Sequence, residues 1–174
     1  SMGSSLQDVI TILSIKNDYP FLAAYVNNEL KELSYKIYEP VSIRFIDITH
    51  FEGMRVYQRT LFFTLSKAIR DLYPGHTFRI KHSVSKGFYS EIEGVDNLTQ
   101  DDIDGIKQRM EELIEQDIPI IKERLLTTEV EGIYERMGFQ DKLALLRSRP
   151  RLYTKLYHVA DMVGYMFGAV APST

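Results

Sequence analysis

A helix with a well-defined start and an enforced end constrains this chain more than any other stretch. Thr99 is a favourable N-cap residue, and Asp102 has the position of the acid in a capping box. We therefore expect a helix from Gln100, with apolar residues three or four positions apart on one face: Ile103, Ile106, Met110, Leu113 and Ile114. Because Pro119 cannot continue this helix, residues 118–121 are predicted to be an extended strand.

The rest of the chain shows a mixture of helical and strand-like patterns, which predicts the α+β class. Helices are expected at 6–13, 56–72, 129–137 and 141–146, and strands at 21–26, 41–48 and 78–82, with a hairpin return at 88–92. Asn27 and Asn28 form a dipeptide typical of a hairpin turn. Periodicity does not decide whether 152–167 is strand or helix.

The composition is that of an ordinary globular protein. Of 174 residues, 44% are hydrophobic and 26% are charged, which is enough apolar material for one or two small cores. No apolar run approaches the roughly 18 residues of a membrane span, and the start has no signal-peptide pattern, so a cytoplasmic location without membrane contact is expected. The absence of cysteine excludes disulfides, and four scattered histidines have no zinc-ligand spacing.

Charge is divided unevenly along the sequence. Residues 1–90 carry 11 Lys and Arg against 8 Asp and Glu, a net charge of +3, whereas residues 91–174 carry 10 against 16, a net charge of −6. This asymmetry permits an anionic ligand, such as a nucleotide or RNA, on one face without requiring one.

Motifs for several common chemistries are absent from the sequence. There is no P-loop, no Gly-x-Gly turn for a dinucleotide and no Gly-x-Ser-x-Gly elbow. We therefore expect no cofactor, no metal and no catalytic residues in this chain.

Basic residues give the best remaining candidate site. The anion-binding candidates are Arg59, Lys67, Arg79, Lys81, His82 and Lys86. The alternative is that these are solvated charges on helix and strand faces. Tyr153, Tyr157, Tyr165 and Phe167 are expected in a core or an interface rather than under a base, because only Lys155 interleaves with them.

Three segments carry a family resemblance: Leu72-Tyr73-Pro74, Gly87-Phe88-Tyr89 and residues 98–122. Together they resemble the second additional domain of threonyl-tRNA synthetases, which alanyl-tRNA synthetases also use for editing. The preceding segment is similar to the latter part of a TGS domain, a small ubiquitin-like sheet. The resemblance implies a truncated TGS-like unit at 1–49 and a second-additional-domain-like unit at 50–174.

In that family the second domain is a hydrolase whose pocket contains a His-x-x-x-His pair and a Cys-x-x-x-His pair. The resemblance assigns the first pair to Arg59 and Phe63, and the second to Val163 and Phe167. None of the four has the family's side chain, so the resemblance implies the fold but not the activity. Arg59 would make the former editing cleft suitable for phosphate or carboxylate.

Residues 53–61, 83–91 and 164–174 also resemble the front part of uridine-kinase-like proteins of the phosphoribulokinase/uridine kinase family. That resemblance implies a non-catalytic N-terminal region of a nucleoside kinase. The kinase domain, with its ATP and Mg²⁺, would follow Thr174 and would be this region's partner. Two alternatives are a stand-alone tRNA- or RNA-binding module, or degenerate trans-editing module, derived from a threonyl-tRNA synthetase, and a purely structural or dimerising domain. The oligomeric state is left open.

Overall fold

Three small antiparallel sheets and five helices make up the described part of the chain. The structure, a computed structural model, describes residues 2–85, 87–148 and 151–174. In chain order the elements are α1 (Leu6–Ile12), β1 (Ala23–Val26), β2 (Glu29–Glu32), β3 (Ile43–Ile46), α2 (Phe51–Leu72), β4 (Phe78–Val84), β5 (Gly87–Ile92), α3 (Gln100–Glu115), β6 (Ile120–Leu126), α4 (Thr127–Arg136), α5 (Gln140–Arg147), β7 (Tyr153–Val159) and β8 (Met162–Gly164). The predicted α+β class is confirmed.

Helix α2, with 22 residues, is the element on which the sheets pack. Val56 near its start joins the core of the first sheet, Phe63 in its middle joins that of the third sheet, and Ile69 near its end packs with the β4-β5 hairpin and α3. Because successive turns of one helix contact three sheets, α2 fixes their relative positions. None of the helices in the described ranges has both the length and the apolar character that crossing a membrane requires.

The start of α2 lies five residues before the predicted one, at Phe51. His50 acts as the N-cap, and its Nδ1 accepts a hydrogen bond from the Glu52 amide at 3.2 Å. The apolar spacing did not show this first turn, because Phe51 and Met54 there are exposed.

The first sheet has the order β2-β1-β3. Asn27 and Asn28 connect β1 to β2 with φ of 48° and 66°, the left-handed conformation that a tight hairpin turn requires, so the predicted turn is confirmed. Helix α1 covers this sheet through Leu6, which is fully buried.

The third sheet has the order β6-β7-β8. The segment 152–167, which the sequence left open between strand and helix, forms its strands β7 and β8. Strand β6 pairs with β7 from Ile120↔Val159 to Leu126↔Tyr153. The strand is therefore longer than predicted and begins after Pro119. Its paired residues lie 27 to 39 positions away along the chain, so a local sequence pattern does not reveal them.

The last residues of the chain connect the first sheet with the third. The Ala171 amide donates to Thr60 Oγ1 of α2 at 2.8 Å, and the Ile120 amide donates to the Pro172 carbonyl at 2.8 Å. Ala169 and Ala171 pack in the core cluster that contains Ala23 of β1. A core cluster thus crosses residue 49, and the division into 1–49 and 50–174 stays a prediction.

Helix α3 has the predicted start and capping box. The Asp102 amide donates to Thr99 Oγ1 at 3.2 Å, and the Thr99 amide donates to Asp102 Oδ2 at 2.9 Å. Its predicted apolar face is only partly buried, since Ile106 and Leu113 lie in the interior whereas Ile103 and Ile114 are 46% and 45% exposed. The main packing partner of α3 is α2. Because α3 packs mainly on this one helix, only a narrow strip of its apolar face is buried.

Candidate functional site

A cleft of about 1090 Å³ lies between the first and third sheets. Its walls are the end of β2, strands β6 and β7, helix α5 and the segment 165–169. Within the described residues, its charged lining consists of five cations and one acid: Lys31, Lys122, Lys142, Arg151, Lys155 and Glu32. Tyrosines and a phenylalanine line it as well: Tyr35, Tyr134, Tyr153, Tyr157, Tyr165 and Phe167. The cleft therefore combines positive charge with aromatic rings.

The acid of the cleft is already neutralised. Glu32 is 8% exposed, and Lys122 Nζ lies 2.7 Å from its Oε2. Its Oε1 accepts a hydrogen bond from the Tyr157 hydroxyl at 2.6 Å and one from the Val170 amide at 3.4 Å. We call these groups the Glu32 cluster. Because the cluster binds the carboxylate from three sides, Glu32 does not cancel the charge of the other cations.

Burial raises the pKa of Tyr157, and the hydrogen bond to Glu32 raises that pKa further. The phenol therefore keeps its proton at neutral pH and acts as a donor. The ammonium of Lys122 lies 5.3 Å from the centre of the same ring. The Glu32 cluster is thus a hydrogen-bonded part of the cleft wall.

The remaining cations differ in their surroundings. Lys31 forms an ion pair with Glu29 at 2.6 Å, which reduces its effect in the cleft. The ammonium of Lys142 lies over the Phe139 ring at 4.2 Å, and burial of this group, followed by the nearby charge of Arg79, lowers the pKa of Lys142.

Of the four positions to which the resemblance assigns the family's pocket, Phe167 lines this cleft, whereas Phe63 and Val163 pack in two different core clusters. Segment 164–168 lies against α2. A Cβ atom added to Gly164 would lie 2.6 Å from the Phe63 ring, and one added to Gly168 would lie 2.7 Å from Arg59 Nη1. Within the described residues, no group of three or more His, Cys, Asp or Glu side chains is arranged to hold a metal ion. That purified protein binds no zinc stays a prediction.

Arg59 has the environment of a partly buried cation without a close acid. Its Nε donates to the Ala169 carbonyl at 2.8 Å, and its Nη2 is buried with no hydrogen-bond partner among the described residues. Burial lowers the pKa of Arg59, and the more distant charge of Glu52 opposes that change. Arg59 holds the segment 168–169 in place, and its predicted role in binding an anion stays a prediction.

Three of the other predicted basic residues have acidic partners of their own. Lys67 is buried and neutralised by Asp71 and by Asp161, the latter at 3.0 Å. Arg79 pairs with Glu93, and Lys81 pairs with Glu91 at 3.0 Å. The His82 ring lies 5.3 Å from that of Tyr89, whereas Lys86 lies outside the described residues.

Sequence reasoning missed the cleft cations because they come from distant segments. It also grouped four aromatic residues together as core or interface. Tyr157 is in the core, and an interface role for the others stays a prediction. Tyr157 is 3% exposed, but Tyr153 and Phe167 are 43% and 67% exposed on the cleft. The Lys122 and Arg124 pair on β6, opposite Lys155 on β7, was the one signal that could have predicted basic residues beside these rings.

Several proteins with established names are similar to this chain over most of its length. They include threonine–tRNA ligases of Acidithiobacillus ferrooxidans (27% identity over 88% of this chain), Rubrobacter xylanophilus (26% over 99%) and Xanthomonas euvesicatoria (30% over 88%). The similar part is their N-terminal region. The chain spans about a quarter of these relatives' length, covering 24%, 27% and 24% of them respectively. No family model matches the chain.

These relatives correct one expectation and support another. The expected uridine-kinase, kinase and ATP-binding character is wrong, because the relatives are named threonine–tRNA ligases. The resemblance to the synthetase N-terminal region is confirmed. The ATP and Mg²⁺ expected after Thr174 depended on the kinase reading and have no support of their own.

Proposed function

We propose that this chain is a synthetase-derived RNA-binding module that takes tRNA, or an RNA with similar features, in the cleft between its first and third sheets. Two observations support this proposal. The relatives are named for a reaction on tRNA. Of the five cations that line the cleft, Lys122 is paired with Glu32 and Lys31 with Glu29, which leaves Lys142, Arg151 and Lys155 as its positive charge. Phosphate backbones bind such surfaces through Lys and Arg side chains.

The proposal does not include ligase or hydrolase activity for this chain. Arg59, Phe63, Val163 and Phe167 offer no imidazole, thiolate or carboxylate where the family resemblance assigns metal ligands. We further propose that residues 1–49 are a truncated TGS-like unit with a ubiquitin-like sheet and that 50–174 form a second-additional-domain-like unit. The three-stranded sheet covered by α1 supports the first part of that assignment.

Net charge does not oppose RNA binding here, although the whole chain carries −3. Binding depends on the charge that faces the ligand, and the acids of the second half include several on α3, away from the cleft. The local positive charge of the cleft is therefore the quantity to test.

The test is fluorescence anisotropy with a labelled transcript of a threonine tRNA at several salt concentrations. Lys155→Gln removes an exposed cleft cation, so it should weaken binding and reduce the slope of log affinity against log salt by about one. Lys107→Gln is the matched control, because Lys107 lies on α3 with a side chain that is 73% exposed and outside the cleft lining. Equal affinities for both variants, or no binding at low salt, would contradict the proposal.

A second measurement concerns chemistry on the same RNA. We expect a threonine tRNA that carries serine to lose its serine no faster when incubated with this protein than in buffer alone. Release that depends on this protein would show that a hydrolytic site persists, and the non-catalytic part of the proposal would then be wrong.

A further inference from the structure

Two aromatic rings in contact, of which Phe167 is exposed and Tyr165 partly buried, line the cleft. Phe167 is 67% exposed, and its ring contacts that of Tyr165 edge to face, with centroids 4.7 Å apart and an angle of 80°. Single exposed apolar residues are common on protein surfaces. This pair differs because exposed Tyr35 and Tyr153 line the same cleft, together with the cations described above.

The backbone that carries Phe167 is held firmly from below. Gly168 has φ of 119°, and its Cα approaches the Arg59 guanidinium so closely that a Cβ there would lie 2.7 Å from Nη1. Arg59 Nε binds the Ala169 carbonyl at 2.8 Å, and the Tyr157 hydroxyl lies 3.3 Å from the Gly168 carbonyl. The Phe167 ring is therefore presented by a fixed support, which lowers the entropy cost of binding against it.

We infer that Phe167, supported by Tyr165, is a stacking platform for an unpaired base of the bound RNA. The inference rests on the proposed function and specifies its ligand as a strand with at least one unpaired nucleotide. The apolar face of a base can cover the Phe167 ring. The phosphates of the RNA backbone carry negative charge that the nearby cations can bind. A purely apolar ligand would make no use of the charge on Lys142, Arg151 and Lys155. A continuous double helix would offer no unpaired base to the ring.

The experiment separates the base from the phosphates. Binding of a labelled hexaadenylate is compared with binding of a hexamer of abasic ribose phosphates, which has the same backbone charge. The wild-type chain should prefer hexaadenylate. Phe167→Ala should reduce hexaadenylate affinity about 5- to 150-fold, the usual range for the loss of one stacked base, and should leave abasic binding unchanged.

Two further variants test whether the flat ring is what matters. Phe167→Trp keeps an aromatic face and should retain hexaadenylate binding, whereas Phe167→Leu keeps apolar bulk without that face and should lose it. Phe51→Ala is the matched control, because Phe51 is 68% exposed at the start of α2 and does not line the cleft. Thermal melting of each variant shows whether the fold is retained.

The possible failures point to different conclusions. If the wild type binds hexaadenylate and the abasic hexamer equally, while tRNA binding still depends on salt and on Lys155, stacking is wrong and the proposed function stands. If Phe167→Leu binds like the wild type, or Phe51→Ala loses as much as Phe167→Ala, stacking on Phe167 is also wrong. If no RNA binds at low salt, the proposed function itself fails.

Discussion

Gly53 lies where the first turn of α2 comes closest to the loop after β3. A Cβ atom at this position would lie 1.7 Å from the Asp47 carbonyl oxygen and 2.7 Å from the Asp47 carbonyl carbon. Both are backbone atoms, so no side-chain rotation can relieve the overlap. This residue lets α2 pack directly against the first sheet.

Gly53→Ala should therefore lower the free energy of unfolding by about 3 kcal/mol, the upper end of the usual range for overpacking. Gly105→Ala in α3 is the matched control, because a Cβ there meets no heavy atom within 4 Å. That control should raise stability by about 0.5–1 kcal/mol through helix propensity. Urea unfolding curves measure both. A Gly53→Ala variant as stable as the wild type would show that the contact between α2 and the loop is not rigid.

At the scale of elements, the sequence predicts helix starts and turns correctly where a few adjacent residues determine them. Thr99 and Asp102 determine the start of α3, and Asn27 with Asn28 determines the first hairpin. The length of β6 was not readable, since pairing with β7 sets it. Buried faces were predictable only in part, because Ile103 has the spacing of a core residue but no element covers it.

The N-terminal cap of α3 should also make the stability of the chain depend on pH. Hydrogen bonds from Thr99, first from its side chain and then from its amide, together with one from the Tyr73 hydroxyl, lower the pKa of Asp102 below its ordinary value of 3.8. The ionised carboxylate is favoured in the folded state. Its stabilising contribution is therefore fully present above the ordinary value and is lost as pH falls through the lower folded-state pKa.

Asp102→Asn should consequently destabilise the chain at pH 7, and this difference should shrink as the pH falls below 3.8 and through the lower folded-state pKa. Asp101→Asn serves as the control, because Asp101 lies in the same first turn near the helix N-terminus and shares its dipole but not the capping box. Urea unfolding at a series of pH values gives both differences. An Asp102→Asn effect that stays constant with pH would mean that the cap acts through shape rather than charge.

At the scale of the whole molecule, the candidate site could not be read from the sequence because it joins distant segments. Lys31 comes from the first sheet, and Lys155 from the third. The mild charge asymmetry between the two halves pointed to positive charge in residues 1–90, whereas most of the cleft cations belong to the more acidic half. The resemblance did single out one residue of the cleft lining, Phe167.

The Glu32 cluster determines whether the two predicted units behave as one. Glu32 of β2 binds residues that lie 90, 125 and 138 positions away in sequence: Lys122, Tyr157 and Val170. Ala169 and Ala171 add apolar contacts with Ala23 across the same boundary. We therefore expect residues 1–49 and 50–174 to unfold together, in a single transition.

Glu32→Gln tests this expectation, because it keeps the shape of the side chain but leaves Lys122 without its counter-ion. It should lower the free energy of unfolding by about 1–3 kcal/mol, less than for a fully buried pair since Lys122 is partly exposed. Amide hydrogen exchange should show the same loss of protection in β1 and in β7, because one opening event exposes both. Glu29→Gln, which changes a carboxylate that is 74% exposed on the same strand, should alter stability by less than about 0.5 kcal/mol. If β1 alone lost protection in Glu32→Gln, the chain would instead consist of two units that open independently near residue 49.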